Sequence, residues 1–187
     1  MAVPFKTIRP EVIRLRNFII GDLNYLVKQK TGGNYLAAAL ITCACDALSH
    51  LKNGKENKGE LFFAEVIPPE WQPLAPALYS AIRDGIVHLY DTKFVCINSQ
   101  KIEIVISWRK KPHFHRSADG KQIYVNVRKL ASAFKAAVRS FEADLKDKPQ
   151  LRETFEKSVR KSREISIEKN AERAAWNKCL RSMKVAT

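Results

Sequence analysis

Arg83-Asp84-Gly85-Ile86-Val87-His88-Leu89-Tyr90 is the stretch on which the reading of this chain turns. It sets a permanently cationic fork, an acid, an imidazole and a phenol within about two helical turns. It follows Trp71 to Ile82, whose apolar spacing predicts a helix that runs on to Leu89. Pro73 and Pro76 fit the first turns of that helix and would be costly later.

Upstream, two more long helices are predicted. One starts at Pro10-Glu11 and runs to about Lys28, with Val12, Leu15, Ile19, Leu23 and Leu26 inward. Thr31-Gly32-Gly33 breaks it. The second runs from Asn34 to Leu51, with Leu36, Leu40, Cys43, Ala47 and Leu51 assigned to the core. A polar loop, Asn53 to Gly59, and a short helix, Leu61 to Val66, lead to Pro68-Pro69.

Downstream the period changes from helical to alternating. Phe94 to Ile97 and Ile102 to Trp108 read as strands; Ile102, Ile104, Ile106 and Trp108 share one face. Ala118-Asp119-Gly120-Lys121 is a turn signal before a third strand, Gln122 to Val127. Three successive strands predict an antiparallel meander. Helix resumes near Lys129 with Leu130, Phe134, Val138, Phe141 and Leu145, and Pro149 separates a last helix, Gln150 to Met183.

The expected architecture is α+β and mostly α: a helical bundle with an inserted three-stranded antiparallel meander and a long basic C-terminal helix. The 187 residues read as a single domain, with a helical core over 10–92, the meander over 93–128 and a helical region over 129–187. The most apolar run, Tyr35 to Leu48, is interrupted by Asp46 and is too short to cross a bilayer. No signal-peptide pattern opens the chain, so a soluble, cytoplasmic protein is expected. Cys43, Cys45, Cys96 and Cys179 lack paired metal or redox spacing and read as reduced thiols.

The net charge of +14 is unevenly spread. Residues 1–100 carry 11 Lys+Arg against 9 Asp+Glu, and residues 101–187 carry 22 against 10. The second part is basic enough to attract polyanions.

The spacing of Arg83 and His88 resembles the signature of HEPN domains, an Arg, four to six intervening residues, and then His. Tyr90 extends the resemblance to the Arg-x-x-x-x-His-x-Tyr form of HEPN ribonuclease toxins. The likeness covers roughly residues 10 to 92 and leaves the sheet and basic tail unexplained.

The resemblance implies a metal-independent endoribonuclease of the toxin or defence type, acting on RNA as a homodimer with a composite cleft. His88 would move a proton to or from the reacting oxygens, and Arg83 would stabilise charge on the phosphorane. Asp84 would orient the imidazole. The product would be a 2′,3′-cyclic phosphate, and no cofactor or metal is implied. Tyr90 could be adenylylated by a nucleotidyltransferase antitoxin. The alternatives are a catalytically silent HEPN-like module that binds RNA or protein, and an interaction protein whose basic tail docks an acidic partner. On a regular helix Arg83 and His88 are splayed by about 140°, which a second copy of the motif would resolve.

A further cluster is Trp108, Arg109, Lys110, Lys111, His113, His115 and Arg116. Aromatic faces and guanidinium groups suit unpaired bases and phosphates, so these residues are candidates for nucleic-acid contact; an ordinary solvated loop is the alternative. In the last helix cations alternate with glutamates, which suits a salt-bridged face or an oligomerisation arm as well as RNA contact. No phosphate-binding glycine loop, nucleophile elbow or zinc-ligand spacing is present.

Overall fold

The structure is a computed structural model that describes residues 3–29, 32–89, 91–97, 99–108, 112–162 and 170–182. Among them are seven α-helices and a small four-stranded mixed sheet. Tyr90 and Arg109, Lys110 and Lys111 lie outside the described residues.

Helix α1 spans Phe5–Lys28 and passes through Pro10 instead of starting there. Proline inside a helix costs about 3 kcal/mol. Burial of Ile8 and Val12, one turn apart on the core face, offsets that and holds the extra turn. Helix α2, Asn34–Asn53, is bounded by Gly33 and Gly54, both left-handed at φ 72° and 67°. The Gly54 N–H closes the helix on the His50 carbonyl.

The buried face of α2 differs from the expected one. Ala37, Ala38, Ile41, Thr42, Ala44, Cys45, Leu48, Ser49 and Leu51 point inward. Of the five residues assigned to the core, only Leu51 is buried. Leu40 is half-buried, and Leu36, Cys43 and Ala47 are exposed. The small side chains on the other face let α2 serve as the central helix, against which α1, α3, α4, α5 and α6 all pack; α3 is Gly59–Phe63, α4 Ala75–Leu89, α5 Val127–Asp147 and α6 Pro149–Ser162.

A 3₁₀ turn, Pro69–Leu74, leads into α4, so Pro73 sits in the turn and Pro76 at the second position of the helix. Neither place needs the missing N–H. Helices α5 and α6 join the same core as α1 to α4. Phe62 meets Phe134 and Phe141 edge-on at 6.3 and 6.2 Å between ring centroids, and Phe141 in turn contacts Phe155. Of the last helix expected from Gln150 to Met183 the structure describes α6 and α7, Asn170–Ser182; residues 163–169 and Met183 lie outside the described residues.

The sheet corrects the expected meander. Strands β1 (Val95–Ile97), β2 (Gln100–Ser107), β3 (His115–Arg116) and β4 (Gln122–Asn126) lie in the order β1-β2-β4-β3. β1 and β2 form the expected antiparallel hairpin, but β2 and β4 run parallel, with Ile104 opposite Ile123. The turn at 118–121 is real, with Gly120 at φ 72° and the Asp119 carboxylate accepting from Ser117 Oγ and the Lys121 N–H. It joins β4 to the two-residue β3, which the sequence shows only as part of a cationic loop. The chain therefore crosses the sheet end between β2 and β3 and returns in the other sense. Ile102, Ile104, Ile106, Ile123 and Val125 form its buried face. Asn126 then caps α5, its side chain accepting from the Arg128 and Lys129 N–H groups.

No helix among the described residues is long and apolar enough to cross a membrane.

Candidate catalytic site on helix α4

Arg83 lies in the middle of the outward face of α4, where α4 packs beside α2. Its Nη1 donates to Asp84 Oδ1 at 3.0 Å. Its Nε lies 3.4 Å from Asp46 Oδ2 on α2, close enough for an ion pair, yet makes no hydrogen bond within the protein. The hydrogen bond to Asp84, and then the Asp46 charge, raise the Arg83 pKa against an opposing desolvation. Asp84 also accepts from Ser80 Oγ at 2.7 Å, with Lys93 Nζ at 4.0 Å. The Ser80 bond is the largest of the causes that hold its pKa below the ordinary aspartate value.

Both Asp84 oxygens are thus engaged by Ser80 and Arg83. The expected orientation of His88 by Asp84 is absent: Asp84 positions the arginine instead. His88 stands exposed in the last turn of α4 and makes no hydrogen bond or ion pair to a described residue. Because α4 is helical through Leu89, Arg83 and His88 diverge around its axis, and one chain does not bring them onto a single phosphate.

Gly85 makes room for the chain that follows α4. The chain leaving α4 doubles back across it, and the Lys93 N–H donates to the Ala81 carbonyl at 2.9 Å. A Cβ on Gly85 would come within 2.5 Å of the Asp91 carbonyl oxygen and 2.6 Å of the Lys93 nitrogen. The return pins α4 to the sheet, where Thr92 Oγ1 donates to the Ile104 carbonyl at 2.6 Å.

Arg83 opens into a cleft of about 250 Å³ lined by Asp46, Asn57, Glu60, Pro76, Tyr79, Ser80 and Asp84. Two carboxylates, Asp46 and Asp84, therefore pair with the one guanidinium, while Glu60 pairs with Lys58 at 3.5 Å. Tyr79 is pushed well above its ordinary pKa by burial and then by its hydrogen bond with Asp46, so it stays a neutral phenol. Gly59 closes the cleft's end: its N–H donates to Asp46 at 3.2 Å, and a Cβ there would overlap the Tyr79 hydroxyl.

Sequence reasoning missed Asp46, Tyr79 and Ser80. The signal for Asp46 was the lone carboxylate in the apolar run 35–48, which needs a cation. Ser80 lies one turn before Asp84 on the same helix face.

On the other side of Arg83 lies an apolar surface. The α2 row Leu36, Leu40, Cys43 and Ala47 faces outward, with Leu36 58% exposed. On α4, Val87 and Leu89 are 44% and 63% exposed. Cys43 feels the Arg83 charge, which opposes the burial that raises its pKa.

The candidate nucleic-acid loop is divided by the structure. Trp108 donates through Nε1 to the Gly32 carbonyl at 2.6 Å and carries the Arg128 guanidinium 5.4 Å above its ring. His113 is half-buried beside Phe114, with neither ring nitrogen hydrogen-bonded within the protein. Burial, assisted by the Lys129 charge, lowers its pKa to about 4. Phe114 itself is buried at φ 50°, against Trp71. These contacts anchor the loop. His115 and Arg116 are exposed on β3, although Arg116 Nε donates to the Gly120 carbonyl at 3.0 Å.

No cluster of three or more His, Cys, Asp or Glu suited to a metal ion occurs among the described residues. No protein-family model, curated protein or solved structure matches this chain.

Proposed function

We propose that this protein is a HEPN-type, metal-independent endoribonuclease that acts in the cytoplasm as a homodimer. The observation that supports the reading is that Arg83 and the exposed His88 stand on one helix, α4, beside an uncovered apolar surface from α2 and α4, so that a second copy could complete what one chain splays apart. A second copy laid on that surface covers Leu36, Cys43, Val87 and Leu89 and sets two copies of the motif across one cleft. Apolar surface of this kind marks a protein-interaction face.

In that cleft a histidine removes the proton of a ribose 2′-hydroxyl, and the oxygen attacks phosphorus. The phosphorus–5′-oxygen bond breaks, the leaving oxygen takes a proton, and a 2′,3′-cyclic phosphate remains. Arg83, aimed by Asp84 and Asp46, offers its remaining N–H groups to the charged phosphorane. RNA reaches the site past the exposed His115 and Arg116 of β3, with Arg109, Lys110 and Lys111 beside them in sequence. Adenylylation of Tyr90 by a nucleotidyltransferase antitoxin would add a competing phosphate two residues from His88 in sequence.

A second reading is favoured by one observation. Asp46 and Asp84 already offset the Arg83 charge. A HEPN-like module tuned this way is catalytically silent and binds RNA or protein through its basic half.

Incubation of the purified protein with RNA in EDTA separates the two. Cleavage by wild type that is lost in Arg83→Ala and in His88→Ala supports the enzyme. An RNA gel shift without cleavage in any form supports the silent module.

A further inference from the structure

We propose that α5 carries a binding groove for unpaired RNA, in which bases enter beside His113 and phosphates rest on the cations of the helix. The choice of RNA over other polyanions rests on the reading above; the groove does not.

The groove holds about 530 Å³, within the range of ligand sites. Its floor is made by Ala133, Ala136, Ala137 and Ser140 of α5. These residues lie three and four apart on one helix face, and none is large enough to fill the space. His113 and residues 65–68 form the walls. The carboxylate of Glu65 is matched by Lys52 at 2.6 Å, and the Ser140 hydroxyl has no hydrogen-bond partner among the described residues. His113 is uncharged at neutral pH, and an imidazole face is a surface on which unpaired bases stack.

The charge beside the groove is an independent observation. From Val127 to Phe141 α5 carries Arg128, Lys129, Lys135 and Arg139 and no aspartate or glutamate. Lys129 continues the floor's row one turn before Ala133, and its charge reaches His113. Arg128, Ser132, Lys135 and Arg139 form the neighbouring row, about a quarter turn around the helix. None of the four cations is ion-paired with a described residue; Arg128 stands over the Trp108 ring, and Lys135 donates to Asn24 at 3.1 Å. By contrast, Arg14, Arg16, Lys148 and Lys161 are matched by Glu11, Glu142, Asp144 and Glu56.

Unmatched cations in a row make a track for phosphates. The groove beside them admits a base only when that base is unpaired. On a helix of about 5 Å radius the two rows lie about 7 Å apart, a separation that one nucleotide bridges from base to phosphate. A duplex keeps its bases stacked inside and would meet the cations alone.

Fluorescence anisotropy with a short unstructured RNA tests the groove without reference to cleavage. The full chain carries His88→Ala throughout, so that the RNA stays intact. Ala136→Leu fills the groove at constant charge; it should weaken binding about tenfold or more and leave the salt dependence unchanged. Arg139→Gln should weaken binding and reduce the log–log salt slope by about 0.7, the share of one phosphate contact. Both positions are exposed, so the fold tolerates the changes, and Ala136→Ser, which keeps the groove open, should bind as the parent does. No binding at low salt would overturn the proposal, as would equal affinity for the same RNA in a duplex. Parental affinity in Ala136→Leu would also overturn it, leaving a basic surface with no groove; if wild type still cleaves RNA, the groove then fails alone. If groove-dependent binding holds and wild-type cleavage is absent, the nuclease reading fails alone.

Discussion

Arg83 Nε on α4 and Asp46 Oδ2 on α2 lie 3.4 Å apart, so the chain's central cation is held across a helix interface by a carboxylate from an otherwise apolar segment. The contact fixes both the direction of the guanidinium and the net charge of its cleft. Asp46→Asn keeps the shape and removes one negative charge. Under the nuclease reading, RNA binding should tighten by a few-fold, in proportion to one unscreened charge near the surface. A gel shift at two salt concentrations checks this; tighter binding at low salt only is the expected pattern, and unchanged binding at both would dissociate Arg83 from RNA.

Asp84 contributes to stability in a pH-dependent way. Its folded pKa is below the ordinary value, so the contribution is present above the unfolded pKa and is lost as pH falls through the folded one. Asp84→Asn should cost about 1 kcal/mol at neutral pH, the scale of a partly exposed charged hydrogen bond. The difference from wild type should shrink in acid. Urea denaturation at neutral pH and below the aspartate range measures it.

Gly85 offers a test of the return loop. Alanine is the better helix former by about 1 kcal/mol, so a merely helical Gly85 would gain from Gly85→Ala. The close approach of the Asp91 and Lys93 backbone reverses the sign, because backbone cannot yield as a side-chain tip can. We expect a net loss of about 2 kcal/mol or more, the cost of overpacking a fixed neighbour. A raised melting temperature would refute the crossing.

His113 should make the fold acid-sensitive. The unfolded chain binds its proton near the ordinary 6.5, and the folded chain near 4. Between those values the unfolded state holds more protons, so stability falls as pH falls through that window and levels off below it. His113→Phe removes this slope. Denaturation midpoints of the two proteins should therefore separate progressively from about pH 6.5 to about pH 4, with wild type losing ground.

Much of the helical frame was legible from apolar periodicity, because α1, α4 and α5 each bury one face and expose the other. Helix α2 defeated the same reasoning. It is apolar on nearly every side, and the larger residues Leu36 and Leu40 drew the assignment to the face that the structure leaves open. Most of the buried side is small residues, Ala37, Ala38, Thr42, Ala44, Cys45 and Ser49, whose value is the close helix approach they permit, not their hydrophobicity. The parallel pairing of β2 and β4 was hidden because β3 is two residues long and has no alternation to read. At the candidate site, Arg83, Asp84 and His88 were visible as a motif. Their relation was not: Asp84 turns to Ser80, one turn back on α4, and the ion pair of Arg83 with Asp46 depends on how α4 is rotated against α2.

The central claim concerns one bond in RNA. The most direct measurement is the mass of the fragments released from a short RNA by wild-type protein in EDTA, beside the same RNA with a 2′-deoxy sugar at the cut. The account requires a 2′,3′-cyclic phosphate on the upstream fragment, no cleavage at the deoxy position, and a loss of about 10²-fold or more in His88→Ala and in Arg83→Ala. An intact RNA with wild-type protein, or cleavage that continues unchanged in both variants, would contradict it.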